Sequence, residues 1–155
     1  MEAPPSLEHR LATLLAAYLT HVHAEANLPP ALTIGIGLEI ATRTRPCVVC
    51  HIDTLEFPHP KLAQADGQII LFTHADETPV LQEALWVAVL RTALSNAGAF
   101  FAWLGTLPED QRIGWDIRRL RITRSETDLN REDRTRSHTT RFAISAQSAE
   151  LTSAA

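Results

Sequence analysis

The chain has 155 residues, 45% of them apolar and 21% charged, with a net charge of −4, two cysteines and seven histidines. Those values fit one soluble domain over 1–155 that buries its core without disulfides or a structural metal. They exclude intrinsic disorder, and no apolar run approaches the ~20 residues of a membrane-spanning helix.

The opening Met-Glu-Ala-Pro-Pro has no basic run ahead of an apolar one, so it does not read as a signal peptide. The expectation is a chain that starts in the cytoplasm, with loosely held ends at 1–5 and 148–155. Ser6 can cap a first helix carrying Glu8 in its first turn and an apolar stripe of Leu7, Leu11, Leu14, Leu15, Tyr18, Leu19 and Val22. Asn27 and Pro29-Pro30 end it. From Leu32 to Ile40 the period changes to two, as in a half-buried strand whose other face is nearly bare at Gly35 and Gly37. Cys47 to Ile52 is short, apolar and β-branched, which predicts a more central strand. Ala63 to Phe72 can pair back against it, with Asp66-Gly67 as a turn or bulge.

The apolar run Ile69-Ile70-Leu71-Phe72 then hands over to a helix from about Thr78 to Asn96. Thr78 is the expected cap, Pro79 the first helical residue, and Asp76 and Glu77 sit at the positive dipole end. Val80, Leu81, Ala84, Leu85, Ala88, Val89, Thr92 and Ala93 form its expected buried face. Ala99 to Leu104 predicts a short helical turn. Two last strands follow, Trp115 to Ile122 with only rough alternation, and Thr140 to Ala146 with Phe142, Ile144 and Ala146 inward. Thr123 to His138 is too polar for core, so it is either a mobile loop or the arms of a projecting hairpin. The order predicts an α+β fold: a mainly antiparallel sheet of four to five strands with two helices packed side by side on one face.

Charge is unevenly placed. Residues 1–117 carry six basic and thirteen acidic groups, a net of −7, whereas residues 118–155 carry eight and five, a net of +3, and all eight are arginine. An acidic body with a basic hairpin suits an electrostatic contact between copies better than it suits nucleic acid. The arginines of 131–141 are interleaved with Glu132 and Asp133 and lack aromatics for base stacking.

Catalytic and metal signals are weak. Cys47 and Cys50 are three apart in an extended segment, so their thiols point to opposite faces and cannot share a metal or a disulfide. His51 with Asp53 and His74 with Asp76 repeat a His-x-Asp spacing that makes a metal or hydrolytic site only if the two segments converge. No nucleophile elbow or dinucleotide fingerprint occurs in the sequence. The residues predict no cofactor and no catalytic group.

The stretch "ILFTHADETPVLQEALWVAVLRTAL", set after "PCVVCHI" and before "RSHTTRFAISAQ", resembles the tail-terminator and tail-completion (minor tail) proteins of long-tailed bacteriophages and prophages, over Leu7 to Gln147. That resemblance implies a non-enzymatic α+β structural protein that forms a homo-oligomeric ring, commonly a hexamer, on the tail tube beside head-completion proteins. It would assemble in the bacterial cytoplasm and remain in the virion tail. Arg131, Arg134 and Arg136 are the expected oligomer contacts, facing Asp and Glu of residues 1–117 on a neighbour. The opposing readings are an enzyme centred on His51, Asp53, His74 and Asp76, and a small ligand-binding or adaptor domain.

Overall fold

The computed structural model describes residues 6–26, 33–36, 46–74, 76–108, 114–132 and 134–148. Its elements are α1 (Leu7–Ala26), β1 (Thr33–Ile36), β2 (Cys47–His59), β3 (Leu62–His74), α2 (Val80–Ser95), α3 (Ala97–Gly105), β4 (Trp115–Asn130) and β5 (Thr135–Ser148). The five strands form one sheet in the order β1-β2-β3-β5-β4. Every pairing is antiparallel except β1 with β2, so the sheet is mostly antiparallel and the fold is α+β. Of the expected strand Leu32–Ile40, only Thr33–Ile36 falls within the described residues; the linker from Thr42 to Arg45 and the tail beyond Ser148 lie outside them.

The main core lies between one face of the sheet and the helices. Ser6 does cap α1, its Oγ accepting from the His9 N–H at 3.2 Å. Leu11, Leu15, Tyr18 and Leu19 are buried, at 2% exposure or less. Tyr18 donates its hydroxyl to the Ala93 carbonyl at 3.3 Å and stacks edge-on with Phe100, which ties α1 to α2 and α3. Val48, Cys50, Ile52, Ile69, Leu71, Phe142 and Ile144 supply the sheet side. On the opposite face Cys47 and Val49 pack with Phe72 in a small separate cluster. The two thiols therefore do point apart, as strand alternation requires.

Burial raises the Cys50 thiol to about 12. Its thiolate is then only about one part in 10⁴ at pH 8. We expect the native protein to leave Cys50 untouched by a thiol-specific reagent at that pH and to release it only on unfolding. Rapid stoichiometric labelling of Cys50 in the folded chain would contradict this packing.

Three expectations are corrected. The N-cap of α2 is Pro79, with no side-chain cap hydrogen bond, and Thr78 is buried instead with its N–H donated to the His74 carbonyl. The buried face of α2 is Glu83, Trp86, Leu90, Ala93 and Leu94, so Val80, Leu81, Ala84, Leu85 and Ala88 point outward. Both stripes of this helix are apolar, and tertiary packing chooses between them. Asn96 also does more than stop α2: its side chain accepts from the Ala99 N–H at 3.1 Å and opens α3, so the described residues hold three helices, with a 73° bend between α2 and α3.

Irregularities in the ladders have local reasons. β2 gains one residue against β3 between Ile52 and Thr54, opposite Gly67 and Asp66, so the bulge lies on β2 with Asp53 as its extra residue, while Asp66-Gly67, the expected turn or bulge, continues β3 regularly. β4 slips against β5 between Ile117 and Arg119 and again between Ile122 and Arg124. The first slip brings Leu120 inward after Ile117, although the two are an odd number of residues apart. Its arginines and bulges also blunt β4 as an edge strand.

Candidate functional site

From Arg124 onward, β4 and β5 run on as a regular hairpin to Asn130 and Thr135. Residues Thr123 to Asn130 are exposed throughout, as part of the sheet's edge strand. The polar stretch is thus the arms of a hairpin, but not a projecting one, because β5 pairs with β3 on its other side as far as Thr135. Leu129 is 45% exposed near the tip, and Arg134 adopts a left-handed backbone with φ 56° in the turn.

A buried carboxylate fastens this hairpin to the start of α2. Glu83 is 2% exposed on the inward face of the helix. One of its oxygens accepts the Thr73 hydroxyl at 2.6 Å; the other lies 3.0 Å from Arg136 Nη1 and 3.1 Å from His138 Nε2. With Nε2–H donating to the carboxylate, His138 Nδ1 can accept the Thr127 hydroxyl, 3.1 Å away across the hairpin rung. Strand register produces the cluster, because Thr73 is opposite Arg136 and Thr127 is opposite His138. Seven residues before Glu83, ahead of the helix, Asp76 accepts from Arg134 Nε on both oxygens, at 2.8 and 2.9 Å. The hydroxyl–imidazole–carboxylate connectivity is that of a proton relay. Here the arginine on the same oxygen and the near-complete burial make it an anchor that holds charge in place.

Arg134 and Arg136 are therefore engaged inside their own chain, while Arg131 is exposed at the tip. The anchor's centre, Glu83, was hidden in the sequence as one acid in a helix, yet it is the sole charge between Val80 and Val89 and faces inward. His51 and Asp53 pair at 3.4 Å, and His74 and Asp76 at 4.0 Å, but the pairs do not meet. His51 is opposite Gln68, six residues from His74 along β3. At strand rise this is about 20 Å. Among the described residues no group of His, Cys, Asp and Glu could hold a metal ion.

The remaining conspicuous surface is the outer stripe of α2, where Val80 is 69%, Leu81 72% and Leu85 41% exposed. Ala84 and Ala88 complete it, so the stripe carries no charge.

No family model matches this chain, and no curated protein matches it. Among solved structures it is similar to a chain described as "Virion of native gene transfer agent (GTA) particle", with a TM-score of 0.59 and 15% identity, covering 92% of this chain and 99% of that one. At that identity the likeness is one of fold, and it extends along essentially the whole of both chains.

Proposed function

We propose that the chain is a non-enzymatic structural protein of a phage-like particle, a ring-forming tail terminator or head–tail joining component. The observation that carries this reading is the whole-length likeness to a virion chain, of which 99% is covered. The exposed edge strand β4 and the hairpin tip support it, since an edge whose turn end is fastened to its own body presents an ordered surface to a neighbouring copy. In a head-to-tail ring each subunit offers one surface to a different surface of the next. Arg131 at the tip is then the contact cation, meeting Asp and Glu of residues 1–117 on the neighbour. Arg134 and Arg136 orient the hairpin through Asp76 and Glu83. Tail tube and head-completion proteins are the further partners, with assembly in the host cytoplasm and a final place in the virion tail.

Electron microscopy and native mass spectrometry of the protein incubated with purified tail tubes test the proposal. A closed ring of one stoichiometry at the tube end, such as a hexamer, is expected. A chain that stays monomeric and unbound at high concentration with tubes present would overturn it. Rim charges mainly set rate and orientation. Arg131→Ala should therefore slow ring formation about two- to tenfold at low salt, with the difference vanishing at high salt. Equal rates in both salts would remove Arg131 from the contact.

A further inference from the structure

We infer that the outer stripe of α2 is a self-complementary docking surface, and that its occupant is the α2 of a second copy lying antiparallel across a twofold axis at Ala84. Leu81, Ala84, Leu85 and Ala88 recur at i, i+3, i+4 and i+7 along one exposed face, the spacing of a helix-packing seam. The two bulkiest side chains flank a small one. At the crossing point Ala84 lets the helices approach closely, and the two leucines of each copy pack against those of the other.

The charges at the ends of the stripe specify a second copy and its direction. Glu77 and Arg91 are both exposed and stand seven residues before and after Ala84. Glu77 lies in the turn ahead of α2 and Arg91 near its other end, so an antiparallel partner centred on Ala84 brings the acidic end of each copy towards Arg91 of the other, twice, and opposes the two helix dipoles. Among the described residues neither side chain has an ion-pair partner within its own chain; Arg91 donates only to the Ser125 hydroxyl, at 2.6 Å, which holds it at the flank of the helix. A parallel partner would place like charges together.

The stripe from Val80 to Ala88 is about 12 Å long. One such helix face is small beside the ~800 Å² per partner of a standard stable interface. The dimer is accordingly weak and concentration-dependent, and it stands apart from the head-to-tail ring, which requires unlike surfaces.

Cysteine cross-linking and sedimentation test this on the full chain. In an isologous contact a residue on the axis meets its own copy, so Ala84→Cys should form a disulfide-linked dimer under a mild thiol oxidant. Ala24→Cys, exposed on α1, should not, and native Cys47 and Cys50, at 0% and 1% exposure, stay out of the reaction. Leu81→Glu should weaken the dimer about 30-fold or more, as at an interface hot spot. Glu77→Lys and Arg91→Glu should each weaken it, and the two together should restore it. Self-association that survives Leu81→Glu, or an Ala84→Cys protein that cross-links no better than the Ala24→Cys control, overturns the proposal. So does association lost in Leu81→Glu without self-linkage at position 84, because that result means the stripe meets a different surface. Ring formation on tail tubes is scored separately, so the dimer can fail while the ring stands, or the reverse.

Discussion

Replacing Arg136 with alanine is expected to destabilise the chain by about 3–5 kcal/mol, the range for stripping a buried ion pair of one partner. The reason lies in what remains. Glu83 has a side chain 3% exposed, and without Arg136 its charge is held only by the Thr73 hydroxyl and His138. The reverse truncation should be milder. Arg136 is 21% exposed and can turn its guanidinium to water once Glu83→Ala removes the carboxylate. Replacing both by methionine should recover most of the loss, since a buried pair exchanged for apolar groups of similar size is often neutral. Urea unfolding of the two single variants and the double variant measures all three numbers. A loss under about 0.5 kcal/mol for Arg136→Ala, the size of an ordinary surface change, would sink the anchor. The same experiment separates hairpin orientation from hairpin contact: Arg131→Ala should leave unfolding unchanged because Arg131 is exposed at the tip.

How much of this was legible in the sequence varied with the element, for physical reasons. The stripe of α1 and the inward Phe142, Ile144 and Ala146 of β5 were plain, because each alternation is regular and one-sided. β4 was blurred by its bulge, which moves the inward set from Ile117 to Leu120. In α2 periodicity offered two apolar stripes, and the outward one was the more tempting, since the inward one contains Glu83. An acid is a sound mark of a solvated face unless distant groups neutralise it. Its partners Arg136 and His138 lie more than fifty residues away, and only the β3–β5 register brings them to it. The β2–β3 register keeps His51/Asp53 apart from His74/Asp76. Local spacing could show both pairs; it could not show the distance between them.

Gly67 is where the next largest effect is expected. It sits buried in β3 between β2 and β5, opposite Ile52 on one side and Phe142 on the other. A Cβ placed there would lie 2.5 Å from the His51 carbonyl oxygen, 2.8 Å from Phe142 Cζ and 3.0 Å from Ile52 Cδ1. Two of these are tips of side chains, but the nearest is backbone, so the β2 bulge at Asp53 or the β3 strand itself must shift. Overpacking of this kind costs about 1–3 kcal/mol. Gly67→Ala should reach the top of that range, and Gly67→Val should exceed it. Phe142 gives a way to test which contact matters. Phe142 is fully buried, and Phe142→Leu alone should cost stability through the space it opens. Combined with Gly67→Ala it should recover only part of the alanine penalty, because the clash with the His51 carbonyl persists. Full rescue in the double variant, by thermal or urea unfolding, would show that the Phe142 ring alone makes glycine necessary here and that the backbone of β2 yields without cost.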